Sequence, residues 1–214
     1  PYTTKTPIPG MLAYKDVQIQ LVDTPPLNIV DIDSGLNNRV LGFARNADAV
    51  ILVFSVDYGE LEEVVRRSLS LLEDRGIVIT RLKGVVRIKK SRGVEGVKVT
   101  GSGKFLDFTE DDLVRLLASY RIFNAIVELE GVVTLDDVES AIITSKVYKP
   151  AIVLVNKVDL VERPEGFIDR IRNLVPADVP VIPVSAEKDL GLNVVGEILF
   201  KKLDLIRVYT KSPN

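Results

Sequence analysis

Apolar residues recur along the chain at two spacings, and the two spacings alternate. Apolar runs of strand length stand at 17–22, 49–56, 76–80, 151–155 and 179–184. Apolar positions at helical spacing stand at 60–75, 166–174 and 192–206. Runs such as 49–56 are apolar at nearly every position, which is typical of parallel strands covered on both faces. The order predicts an α/β fold in which helices pack on a doubly wound, mostly parallel sheet.

The middle of the chain departs from this order. Residues 81–104 contain eight basic residues and one acidic residue, and their Gly and Val content predicts a twisted hairpin with strands at 85–89 and 96–100. A helix is predicted to follow from Thr109, which can act as an N-cap with Asp112 at the third helical position.

A further strand and helix complete this middle region. The strand is predicted at 123–129, and the helix begins at Thr134, with acidic residues in its first turn. We therefore expect a small α/β insert at 81–146. It would interrupt a larger domain formed by 1–80 and 147–214.

Composition limits the chemistry that the chain can perform. Its 214 residues include no Cys, His or Trp, which excludes disulfides, thiol or imidazole catalysis and Cys/His metal sites. Carboxylates, hydroxyls, Lys, Arg and backbone groups remain, and these suit phosphate and hard-cation chemistry. With a net charge of −2 and no apolar run long enough to cross a bilayer, we expect a cytoplasmic protein without membrane contact. One Met, two Gln and abundant Val and Ile predict a thermophilic source.

The most informative local motif is Asn156-Lys157-Val158-Asp159, directly after the apolar run 151–155. A carboxylate at Asp159 could accept hydrogen bonds from N1–H and the N2 amino group of guanine, a donor pair that adenine lacks. Asn156 could meet the outer edge of the purine, and the Lys157 stem could cover its face. Ligands of such sheets bind at the carboxyl ends of the strands. The alternative interpretation is a polar turn after a strand.

Ser185-Ala186-Glu187 follows the next predicted strand. The Ala186 backbone N–H could bind the guanine O6, and the small Ser185 and Ala186 side chains would permit close approach. Taken alone the motif carries little information, but its position after the first motif favours a shared site.

Two further segments offer oxygen ligands. Asp23, followed by Thr24-Pro25-Pro26, could hold Mg²⁺ through water, and Thr3 or Thr4 could supply a metal ligand. A proline-rich turn and an ordinary loop are the alternative interpretations.

In this order, the motifs TTKTPIPG, VDTP, NKVD and SAE resemble those of the Obg/DRG (developmentally regulated GTP-binding) GTPases. The resemblance spans nearly the whole chain. It includes a ribosomal-protein-like α/β insert and, at 203–211, a stretch similar to the one that leads into a TGS domain in that family. It implies a P-loop-NTPase-type fold and a slow, GTP/GDP- and Mg²⁺-dependent switch acting around ribosomes or RNA.

The resemblance also implies roles for individual residues. Asn156, Lys157 and Asp159 would hold guanine with help from Ser185, Ala186 and Glu187. Thr4 would coordinate Mg²⁺ directly, with Thr3 as the weaker candidate, and Asp23 would reach the ion through water.

Two positions in the second switch bear on hydrolysis. Pro26 stands where the family has a Gly whose N–H binds the γ-phosphate, and a proline has no N–H. Leu27 fits the hydrophobic residue of the family at the next position. No side chain is then an obvious positioner of the attacking water, and we assign no catalytic base.

The phosphate loop G-x-x-x-x-G-K-[ST] is absent from these 214 residues, since the only Gly-Lys pair, Gly103-Lys104, is followed by Phe105. In the family this loop precedes the first switch, so we expect it upstream of Pro1. On this expectation the 214-residue chain alone binds guanine nucleotide weakly and hydrolyses none.

Two other functions remain as hypotheses. The basic segment 81–104 could bind the phosphate backbone of RNA or the ribosome, with GTP hydrolysis vestigial. A purely structural scaffold is the other hypothesis, and it predicts that Asp159→Asn leaves base preference unchanged.

Overall fold

The computed structural model describes residues 6–57, 59–81, 83–91, 93–143, 146–206 and 208. The chain divides into two compact units. We call Pro1–Thr80 together with Lys149–Asn214 the outer unit, and Arg81–Tyr148 the inserted unit.

Eleven strands and six α-helices are assigned in the described residues, in three blocks along the chain. The outer unit begins with β1 (Ile8–Tyr14), β2 (Val17–Asp23), α1 (Gly35–Asn46), β3 (Val50–Ser55), α2 (Leu61–Asp74) and β4 (Ile77–Val78). The inserted unit has β5 (Gly84–Lys90), β6 (Val97–Gly101), β7 (Lys104–Phe105), α3 (Glu110–Ser119), β8 (Ala125–Val133), α4 (Leu135–Ile143) and β9 (Val147–Tyr148). The outer unit ends with β10 (Ala151–Asn156), α5 (Glu165–Arg172), β11 (Val181–Pro183) and α6 (Val195–Lys202).

Three parallel strands form the centre of the outer unit, in the order β11-β10-β3. The middle strand is the most buried, and its Ile152, Val153 and Val155 are fully enclosed. Its apolar residues contribute to cores on both sides of the sheet. This burial explains why nearly every β10 position is apolar. The parallel register brings the carboxyl ends of all three strands to one edge.

An antiparallel hairpin, β1–β2, precedes this sheet along the chain. Its turn places Lys15 in the left-handed region, with φ 53°. Residues 8–10, the end of the TTKTPIPG motif, pair with Asp23, Val22 and Leu21 as the start of β1.

Two helices of the outer unit differ from the sequence analysis. The sequence pattern did not indicate α1, because Asn37, Asn38 and Arg39 interrupt its apolar spacing. Its N-cap, Ser34, accepts a hydrogen bond from the Asn37 N–H. The closing helix, predicted at 192–206, is shorter and is preceded by a single 3₁₀ turn, Leu192–Val194. Residues 207 and 209–211 of the tail resembling a TGS-linked stretch lie outside the described residues.

The sheet of the inserted unit has the order β5-β8-β6, so the predicted hairpin of β5 with β6 was wrong. Strand β8 lies between them, antiparallel to β5 and parallel to β6. Its Ala125, Val127 and Leu129 are fully buried, whereas β5 exposes Arg87, Lys89 and Lys90 and β6 exposes Lys98. The most apolar strand therefore takes the centre, and the charged strands take the edges.

Both helices of the inserted unit begin as the sequence predicts. The Thr109 hydroxyl accepts a hydrogen bond from the Asp112 N–H, and the Asp112 carboxylate accepts one from the Thr109 N–H, which forms a capping box. Thr134 and Asp137 repeat this exchange at the start of α4. Their buried residues, among them Leu113, complete a core with β8.

Candidate nucleotide-binding site

The chain turns sharply where β10 ends. Lys157 adopts the left-handed conformation, with φ 63°, which is uncommon for a residue with a side chain. A 3₁₀ turn, Val158–Leu160, follows, and the Val158 N–H donates to the Val184 carbonyl at 3.2 Å. The first predicted motif is thus fastened to the end of β11.

The Asn156 side chain joins the two predicted guanine motifs. Its Oδ1 accepts hydrogen bonds from the Lys157 N–H at 2.8 Å and from the Ala186 N–H at 3.0 Å. The structure therefore brings these segments into direct contact, as expected for a shared site. The Ala186 N–H, which we assigned to the guanine O6, is engaged by Asn156 in this arrangement. Base binding through O6 would require Ala186 to share or exchange this bond.

The segment from Ser185 to Leu190 forms a closed loop. The backbones of these two residues exchange hydrogen bonds of 3.0 Å, and the buried Ser185 hydroxyl accepts one from the Lys188 N–H. Gly191 ends the loop with φ 71°, where a Cβ would lie 2.3 Å from the Pro183 carbonyl oxygen. Only glycine fits this position, and the tight return leaves Ala186 and Glu187 exposed.

Lys157 forms an ion pair that sequence reasoning missed. Its Nζ lies 2.6 Å from Oδ2 of Asp57, which follows β3. The hydrogen bond from Lys157 lowers the pKa of the Asp57 carboxyl below its ordinary value, and the Ser55 hydroxyl contributes less. The Ser55 Oγ is buried and has no partner at hydrogen-bonding geometry within the described residues, so its effect on the Asp57 pKa is that of a nearby dipole. An acid directly after a buried parallel strand was the available signal.

Asp159 and the proposed metal ligands stand apart from these contacts. Asp159 is exposed in the 3₁₀ turn, where its carboxylate is accessible to a ligand. Asp23 is exposed at the end of β2, in the hairpin sheet rather than the β11-β10-β3 sheet. Thr3 and Thr4 lie outside the described residues. An Asp23 oxygen suits Mg²⁺, but the described residues contain no group of three or more acidic side chains that could hold a metal by themselves.

The segment after Asp23 is fixed by Asn37 of α1. The fully buried Asn37 carboxamide accepts a hydrogen bond from the Asn28 N–H at 2.8 Å. Its Nδ2 lies 2.8, 3.1 and 3.2 Å from the carbonyl oxygens of Asn28, Asp31 and Ile32. This loop begins just after Pro26, so its shape is set by a residue that the motifs did not include.

These features define an α/β nucleotide-binding class of protein with its polar motifs at parallel strand ends. A profile described as 50S ribosome-binding GTPase matches residues 1–82, and one described as the C-terminal region of that domain matches residues 94–205. The chain belongs to this family of GTPase domains, which confirms the predicted P-loop-NTPase-type fold.

Proteins similar to this chain are named as GTP-binding proteins or GTPases. A GTP-binding protein of Methanocaldococcus jannaschii is 32% identical over 98% of this chain and 53% of its own length. Developmentally-regulated GTP-binding protein 2 of Bos taurus is 31% identical over 99% of this chain and 56% of its own. Ribosome-interacting GTPase 1 of Saccharomyces cerevisiae is 26% identical over 98% and 55%. The predicted DRG resemblance is confirmed, and the chain spans about half the length of these curated relatives.

No helix in the described part of the chain is both long and apolar enough to cross a membrane.

Proposed function

We propose that the outer unit supplies the guanine-binding half of a GTP-dependent switch protein, with Asn156, Lys157, Asp159 and the Ser185–Glu187 segment at the base. The observation that carries this proposal is the hydrogen bond from the Ala186 N–H to the Asn156 side chain. It places two motifs, 30 positions apart in the chain, at one sheet edge. Family membership supports the same function.

The proposed switch depends on GTP hydrolysis. GTP would be hydrolysed to GDP and phosphate in the full-length protein, and Mg²⁺, when bound, neutralises phosphate charge. Thr4, with Thr3 as the weaker candidate, and Asp23 are the residues that we propose hold the ion. Pro26 cannot donate a backbone hydrogen bond to the γ-phosphate, so another donor has to report the presence of that phosphate.

Base selection is the direct test of the guanine site. In the natural full-length protein, Asp159→Asn should weaken GDP binding and favour the xanthine nucleotide, because the amide can no longer accept both guanine donors. Competition between GDP and XDP, followed with a fluorescent guanine nucleotide, measures the preference. Glu165→Gln, a change at the start of α5, is the control. An unchanged preference in Asp159→Asn would support the scaffold hypothesis instead.

A second proposed function is RNA or ribosome binding by the inserted unit. Lys89 and Lys98 lie on either side of Ile126 on β8, because both pair with it in register. Both lysines are exposed, and the buried core lies on the opposite face of the sheet. By contrast, Arg87 is paired with Glu130 at 2.7 Å, which raises the pKa of its guanidinium.

Lys89 and Lys98, which we call the basic sheet face, are therefore the proposed contacts with phosphates. Arg92, another basic residue of the segment 81–104, lies outside the described residues. The name of the yeast relative, Ribosome-interacting GTPase 1, supports a ribosomal partner, which would place the protein in the cytoplasm.

Salt dependence tests this second function. Changing both Lys89 and Lys98 to Glu should lower affinity for single-stranded RNA and flatten the plot of log affinity against log salt by about 0.7 per lost contact. Fluorescence polarisation with a labelled oligonucleotide measures both quantities. Arg115→Glu on α3 is the control, and equal losses in the two proteins would refute a specific role of the basic sheet face.

A further inference from the structure

Two consecutive residues of the first motif reach toward opposite neighbours of β10. Asn156 contacts Ala186, which follows β11 on one side. Lys157 contacts Asp57, which follows β3 on the other side. The end of β10 is thus held from both adjacent strand ends.

The backbone around the Lys157–Asp57 pair is firmly positioned. Asn156 pairs with Ser55 in the parallel register, and the Val56 N–H donates to the Asn156 carbonyl at 3.1 Å. Asp57 directly follows Val56, and the turn at Lys157 is fixed in the left-handed region. The carboxylate and the ammonium group are therefore brought together by neighbouring strands, although 100 positions separate them.

The ion pair restricts the long, partly exposed side chain of Lys157. Both side chains are about half exposed, at 49% for Lys157 and 46% for Asp57. A free lysine stem with four rotatable bonds loses conformational freedom when it is ordered against a ligand. Because Asp57 holds the Nζ before any base arrives, part of that loss has already occurred.

We propose that Asp57 is a positioning residue of the guanine site, which holds the Lys157 stem along the face of the base. This inference rests on the proposed nucleotide-binding function. Asp57 acts through Lys157 and makes no contact with the base edge, so it affects how tightly a nucleotide binds and leaves the choice among bases to Asp159.

A double-mutant cycle tests the inference in the natural full-length protein. Calorimetry with GDP compares the unchanged protein with Asp57→Ala, Lys157→Ala and the combined variant. We expect Asp57→Ala to weaken GDP binding by about two- to fivefold, the range for half-exposed ion pairs. In the Lys157→Ala background the same change should have no effect, because the group that Asp57 positions is gone. The ratio of GDP to XDP affinity should stay constant in Asp57→Ala.

The matched control is an ion pair of the same length on α6, Lys201–Glu197, also 2.6 Å long. Glu197→Gln should leave GDP affinity unchanged. A readout without nucleotide is the acylation rate of Lys157 by an amine-reactive ester, followed by peptide mass spectrometry. This rate should rise in Asp57→Asn, which removes the charge and keeps the size.

The possible outcomes distinguish the positioning role of Asp57 from the proposed guanine-binding function. Unchanged GDP affinity in Asp57→Ala, or equal weakening with and without Lys157, would overturn the positioning role while leaving the guanine site intact. An unchanged acylation rate in Asp57→Asn would overturn it as well. Absence of guanine-nucleotide binding by the unchanged full-length protein would refute the proposed function, and the inference with it.

Discussion

The Asn37 carboxamide shows how much one buried side chain can organise. It is fully enclosed, and its hydrogen-bonding groups are directed at the backbone of a single loop, at Asn28, Asp31 and Ile32. Such backbone groups need partners when they are removed from water. Asn37 therefore supplies the hydrogen bonds that secondary structure would otherwise give this segment. Through Asn37, α1 fixes the shape of the loop after Asp23.

Asn37→Ala is expected to lower the free energy of unfolding by about 2 to 3 kcal/mol, because four partly buried backbone groups lose their hydrogen-bond partner. Chemical denaturation followed by circular dichroism measures the change. Asn46→Ala, at the exposed end of the same helix, removes one bond to the Gly42 carbonyl and should cost less than about 0.5 kcal/mol. Similar losses for the two variants would contradict the organising role of Asn37.

At the scale of elements, the inserted unit is organised around one apolar strand, β8, and two capped helices. β8 takes the centre of its sheet, where its buried residues form one core with apolar residues of β5 and β6. The capping boxes at Thr109 and Thr134 fix where α3 and α4 begin. The Tyr120 hydroxyl, at the end of α3, donates to Glu139 of α4 at 2.6 Å, and this bond raises the pKa of the tyrosine.

The capping box of α3 should make that helix sensitive to acid. Hydrogen bonds from Thr109 lower the folded-state pKa of Asp112 below the ordinary value of 3.8. The stabilisation is therefore fully present above about pH 4, and it is lost as pH falls through the lowered folded-state pKa. Asp112→Asn should remove this pH dependence.

Amide hydrogen exchange of α3, measured by mass spectrometry across this pH range, tests the expectation. Asp111→Asn is the control, since Asp111 lies in the same first turn and is exposed. The expectation fails if protection of α3 falls with acid equally in Asp112→Asn and Asp111→Asn.

At the scale of the whole molecule, the chain enters and leaves the inserted unit at adjacent points. The Lys149 N–H donates to the Val78 carbonyl at 2.8 Å. Lys149 also donates through its Nζ to the Ala47 carbonyl at 2.6 Å, which anchors the return into the outer unit. Each unit has its own buried core. An insertion whose ends meet adds little constraint to the domain that receives it.

Replacing residues 81–148 with a short Gly-Ser linker should therefore preserve cooperative unfolding of the outer unit, with a melting temperature within about 5 °C of the parent. Differential scanning calorimetry measures this. The companion fragment 81–148 should fold by itself, with helical circular dichroism. An outer unit that aggregates or melts without cooperativity would show that its core depends on the insert.

Much of this architecture was predictable from local patterns. Strands β3 and β10 are apolar at successive positions, and α2 repeats its apolar residues at helical spacing. Thr109 and Thr134 predict the starts of α3 and α4, because their side chains can cap a helix. The polar motifs at 156–159 and 185–187 could be found because they follow buried strands. These signals depend on residues close together in the sequence. α1 escaped prediction because polar residues interrupt its apolar spacing, and β1 because its pairing with β2 depends on the hairpin turn between them.

The sequence by itself determined which segments could be buried and which residues could bear nucleotide chemistry. Tertiary structure alone decided which strands became neighbours. That choice set β8 between β5 and β6, joined Asn156 to Ala186 and brought Asp57 to Lys157. The physical reason is that strand pairing is non-local: residues 100 positions apart meet only when the hydrophobic cores on both faces of a sheet are formed.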